Sequence, residues 1–69
     1  MKYAVIIERC ESGFGAHVPD LPGCIAVGCS REQVLQLIHE AVAMHLEELR
    51  LAGERVPVPS SVAFVEVAA

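Results

Sequence analysis

The stretch Ser30 to Gly53, SREQVLQLIHEAVAMHLEELRLAG, decides the fold. At about 100° per residue, Val34, Ile38, Ala41, His45 and Leu49 fall on one side of a helix. Leu35, Leu37, Val42, Met44 and Leu46 flank them, and Glu32, Gln36, His39, Glu40, Ala43, Glu47 and Arg50 lie opposite. Ser30 is placed to cap the free N–H groups of the first turn, with Gln33 three residues on as in a capping box. Gly53 is the expected left-handed terminator, so the helix runs from about Arg31 to Leu51. Its apolar arc covers half the circumference or more, wider than contact with one sheet requires.

Upstream, Lys2 to Arg9 is rich in β-branched residues on both faces and reads as a strand. Cys10-Glu11-Ser12-Gly13 is a turn, and Phe14, Ala16 and Val18, alternating with Gly15 and His17, form the second arm of a hairpin. Pro19 ends that arm. Leu21-Pro22-Gly23-Cys24 has proline second and glycine third, the pattern of a tight turn. Cys24 to Gly28 is a short third strand. Downstream, Val56-Pro57-Val58-Pro59 suits neither helix nor central strand, because prolines lack the N–H donor. Ser61 to Val67 reads as a last strand. The expected order is βββαβ: an α+β unit in which one long helix covers one face of a small, mostly antiparallel sheet.

Sixty-nine residues leave room for one domain, expected to span 1–69. A core this small stabilises a fold only marginally, yet 54% of the residues are hydrophobic and the mean hydropathy is +0.48. Self-association through a strand edge or the helix flank would answer both facts, so a homo-oligomer, dimer or tetramer, is expected. The net charge is −4, and the five cations (Lys2, Arg9, Arg31, Arg50 and Arg55) are scattered. Phosphate contacts supply most non-specific nucleic-acid affinity, so this chain alone is not expected to bind DNA or RNA. The helix carries too many charges to span a membrane, and residues 1–7 lack the form of a signal peptide. Cys10, Cys24 and Cys29 are then expected as reduced thiols in the cytoplasm.

The search for reacting groups returns little. His39 and His45 are six apart and cannot chelate together, and Cys24 and Cys29 have no second pair at zinc-finger spacing; no metal or cofactor is expected. Cys29 lies just before a helix N-terminus, where the partial positive charge favours thiolate, and His17 is a conceivable base. Nothing in the sequence orients that histidine. Asp20 is the only aspartate, and turn formation explains it; Glu8 and Glu66 read as solvent-face residues. His45 on the apolar face is more simply a core or interface residue.

Three segments taken together resemble a known family. They are Ala16-His17-Val18-Pro19-Asp20-Leu21-Pro22-Gly23-Cys24, then Gly28-Cys29-Ser30 opening a helix with Glu40-Ala41, then Gly53-Glu54-Arg55-Val56-Pro57-Val58-Pro59. Together they resemble the HicB-like antitoxins over about residues 3 to 67, with Cys29 standing where the family commonly has Asp. The resemblance implies a partly degraded ribonuclease-H-like fold of βββαβ order. It also implies a protein partner, a HicA-type toxin that cleaves mRNA with a catalytic His. Full-length relatives commonly continue into a DNA-binding domain, and none is expected within 1–69.

The function expected is that of a type II toxin–antitoxin module that neutralises such a toxin by direct binding. The acidic balance of the chain complements a cationic RNA-cleaving partner. Contact is expected at Asp20, Leu21, Pro22 and Gly23, with the polar helix face, Glu40 and Glu47, as a second surface. No catalytic residue is assigned. Two alternatives stay open: an oligomeric binding protein of this family without a toxin, and a small enzyme using Cys29 and His17.

Overall fold

A computed structural model describes residues 1–68. Its elements are β1 (Ile6–Cys10), β2 (Gly13–His17), β3 (Ile25–Gly28) and α1 (Arg31–Leu51). The strands form one antiparallel sheet in the order β1-β2-β3, with Ile6 opposite His17 and Ala16 opposite Ala26. The helix packs over β2 and β3, giving the expected α+β sandwich of two layers.

Both helix ends form where local chemistry puts them. The Ser30 hydroxyl accepts from the Gln33 N–H at 3.1 Å, while the Gln33 side chain accepts from the Cys29 N–H, one residue earlier than a strict capping box. At the other end Gly53 takes φ +72°. Its N–H donates to the Arg50 carbonyl at 3.0 Å, and that of Glu54 to the Leu49 carbonyl at 2.9 Å. These two bonds form a Schellman motif and satisfy carbonyls that the helix leaves without partners.

Side chains of one parity point from the sheet toward the helix. The buried core is Ala16, Val18, Leu21, Cys24, Val34 and Ile38, with Tyr3, Val5, Ile7, Phe14, Ala26, Ala41, Val42 and Leu46 packed around it. Val34 and Ile38 lead the expected apolar helix face; His45 and Leu49 further along it are only half-buried. The opposite face of the sheet is uncovered, leaving Ile25 and Val27 exposed.

Two expected strands differ. The first starts at Ile6 rather than Lys2, because its partner β2 ends at His17, just before Val18 and the donor-less Pro19. The expected fourth strand, Ser61 to Val67, has no ladder partner, so the order among the described residues is βββα. All of its residues are exposed, including Val62, Phe64, Val65 and Val67. Each of these large side chains forgoes about 1.5–3 kcal/mol that full burial would bring.

The core is small enough for single truncations to show. Leu21→Ala should lower unfolding stability by about 2–5 kcal/mol and Ser30→Ala by about 1 kcal/mol. Urea titrations followed by helical circular dichroism check both, and a Leu21→Ala midpoint equal to wild type would contradict the packing described.

Candidate functional site

Residues 18–24 connect β2 to β3 through two successive tight turns. The Leu21 N–H donates to the Val18 carbonyl at 3.0 Å, closing a first turn with Pro19 second. The Cys24 N–H donates to the Leu21 carbonyl at 3.0 Å, closing a second turn with Pro22 second and Gly23 third. Gly23 sits at φ +85°, the value a type II turn demands at its third position. The Val18 N–H donates to the Cys24 carbonyl at 3.2 Å and ties the ends together. Each proline pre-sets one turn, so this connection is conformationally restricted before it folds.

The expected contact residues divide by role on this platform. Leu21 is 0% exposed, so its side chain anchors the turns to the core and does not reach the surface. Pro22 and Gly23 are exposed, together with Pro19. Asp20 is half-buried and committed to a contact within the chain: its carboxylate accepts from the Ser60 N–H at 2.8 Å and the Ser60 hydroxyl at 2.7 Å. The backbone bond first, then the hydroxyl, holds the Asp20 carboxyl below its ordinary value, with slight desolvation opposing. A further tether lies nearby in the chain, where the Tyr3 hydroxyl donates to the Pro57 carbonyl.

Glu40 and Glu47 are exposed on the helix, and Glu47 meets Arg50 at 3.3 Å. That pair is a solvated i,i+3 contact of little energetic weight. His45 is half-buried on the flank of the helix, where it lines a shallow depression together with Gly23, Cys24 and Ile25.

The groups considered for catalysis do not meet. Cys29 adjoins Gly13 at the start of β2, and His17 is at its other end, about 13 Å away at the strand rise per residue. His17 instead has Glu8 at 3.9 Å, a diagonal neighbour across β1 and β2 on the open face. Burial raises the Cys24 thiol pKa, which keeps it protonated and unreactive. Among the described residues, no three His, Cys, Asp or Glu side chains cluster closely enough to hold a metal ion.

Comparison with known proteins places this arrangement. A family profile described as "HicB_like antitoxin of bacterial toxin-antitoxin system" matches residues 3–68. A UPF0150 protein of Thermoplasma acidophilum is 40% identical over 58 residues, 83% of this chain and 84% of that protein. Antitoxin HicB 2 of Photorhabdus laumondii is 32% identical along the whole chain, which spans only 51% of that antitoxin. Among solved structures, a chain of a "HicA3 and HicB3 toxin-antitoxin complex" superposes with a TM-score of 0.73 at 30% identity, covering 86% of this chain and 70% of that one.

The Asp20–Ser60 clamp has a pH signature. A carboxylate whose pKa is lowered by folding stabilises fully above its ordinary value of 3.8, and that contribution is lost as pH falls through the lowered value. The protection of the Ser60 amide, its exchange rate relative to that of a free peptide at the same pH, should therefore be high at pH 5–7 and fall as the pH drops below about 4. Asp20→Ala should give low protection at every pH, as amide hydrogen exchange would show.

Proposed function

Because the chain belongs to the HicB-like antitoxin family, we propose that it neutralises a HicA-type toxin by binding it, in the cytoplasm and without catalysis of its own. The family match over residues 3–68 carries this reading. The superposition on a chain of a toxin–antitoxin complex supports it. So does the separation of Cys29 from His17 along β2, which leaves the considered nucleophile without its base. Among the described residues no helix is long and apolar enough to cross a membrane.

The contact we assign to the toxin is the double turn Asp20–Gly23. In this assignment Pro22 and Gly23 present the surface, Leu21 fixes it from below, and Asp20 secures its flank. A rigid, partly apolar platform of this kind loses little conformational entropy on docking, which favours slow dissociation. Glu40 and Glu47 form the second surface. With a net charge of −4 the chain attracts a cationic partner over several ångströms. Inhibition is then occlusion: a seated antitoxin covers the face with which the toxin meets RNA.

Co-expression with a basic HicA-type protein should restore growth, and the two should co-purify. Pro22→Arg should abolish rescue while leaving the helical signal unchanged. Glu40→Lys combined with Glu47→Lys should slow association about tenfold at low salt and much less at high salt. No complex between the purified proteins at micromolar concentration would overturn the assignment. RNA incubated with this chain and Mg²⁺ or Mn²⁺ should stay intact, and metal-dependent cleavage would overturn the non-enzymatic reading.

A further inference from the structure

Residues 61–68 leave the body of the molecule uncovered. Phe64 is 95% exposed and Val65 82%, although SVAFVEV has the β-branched, aromatic composition of a buried strand. The Cα radius of gyration is 13.7 Å, against about 11 Å for a compact chain of this length, and the longest dimension is 45 Å. A projecting segment accounts for that excess.

A receiving surface is also present. β1 is an edge strand whose outer backbone groups have no partner in the sheet. Beside it lies a groove of about 440 Å³ between the N-terminal segment and the helix, lined mainly by Tyr3, Val5, Leu35, Ile38, Val42 and Leu46. The helix packs over β2 and β3, and its Leu35–Leu46 flank faces Tyr3 and Val5, just before β1, across this groove. Seven extended residues span about 23 Å, enough to run along β1 and the residues before it.

The segment is led away from its own β1. Its approach passes Tyr3 at Pro57 and is then clamped at Ser60 by Asp20, in the β2–β3 connection, on the side of β1 away from its free edge. Pro57 and Pro59 stiffen that path and oppose a reversal. A second copy of the chain presents the same groove and the same edge without that constraint.

We propose that two copies exchange residues 61–67, each segment adding as a fourth strand to the β1 edge of the other copy and seating apolar side chains in its groove. The exchange is isologous and closes on itself, so it pairs the free edge of β1 and covers the exposed apolar segment together. It stands independently of the toxin reading, since it uses β1 and the helix flank and leaves Pro22 and Gly23 free.

Light scattering on the full chain at micromolar concentration should give twice the 7.4 kDa chain mass. Val65→Glu and Val65→Pro should each give a monomer with unchanged helical circular dichroism, the first by placing a charge on the apolar Ala63-Val65-Val67 face that enters the groove and the second by removing a ladder donor. A photo-crosslinking phenylalanine analogue at position 67, in an equal mixture of light and ¹⁵N-labelled chains, should yield heavy–light crosslinks to the residues that line the groove. A monomeric wild type, a Val65→Glu variant that remains dimeric, or crosslinks confined to single chains would each overturn the exchange.

Discussion

Leu21 is held three ways, and the rest of the molecule depends on its being held. Its N–H closes one turn, its carbonyl closes the next, and its side chain is sealed beneath the helix with Val34 and Ile38. Moving it would separate β2 from β3, since residues 18–24 are their sole covalent connection. It would also carry Asp20 away from Ser60 and release the segment that follows the helix. One apolar contact thus joins the sheet, the helix and the outward platform. In a domain with few buried side chains, no neighbouring contact can take over that task.

The same scarcity explains why so much apolar surface stays outside. A single helix over a three-stranded sheet buries one face of each, leaving Ile25 and Val27 on the open face and Val62 to Val67 on the projecting segment. Surfaces of this kind are stabilised by partners, and a protein whose task is to be half of a complex retains them. The surplus of contact surface fits that task.

What was legible in the sequence was what local chemistry determines. Ser30 with Gln33 at one end and Gly53 at the other set the helix limits, and the pattern Leu21-Pro22-Gly23-Cys24 specified its turn down to the positive φ of Gly23. Strand limits were less legible because a strand is only as long as its partner, and β2 leaves the ladder at His17. The Asp20–Ser60 clamp was invisible: the two are 40 residues apart, and neither has a local signature beyond being polar near prolines. The double role within the platform was also hidden, since hydropathy marks Leu21 as apolar but not as the residue of four that points inward. Ser61 to Val67 carries a strand's composition, but composition cannot say whether a partner strand is present, and within this chain none pairs with it among the described residues.

The clamp lies between the two surfaces on which the chain would meet other molecules. Asp20 belongs to the platform assigned to the toxin, and Ser60 is the last fixed residue before the segment assigned to a second copy. Whatever shifts Asp20 therefore alters where residues 61–67 begin, and whatever pulls on those residues loads the platform. Coupling of this kind is reciprocal: if self-association changed toxin affinity by some factor, toxin would change self-association by the same factor. The carboxylate is near the surface and its bonds to Ser60 are exposed, so the coupling energy cannot exceed what two solvent-accessible hydrogen bonds supply. That ceiling makes the clamp an adjustment between two binding events, and too weak to make either conditional on the other.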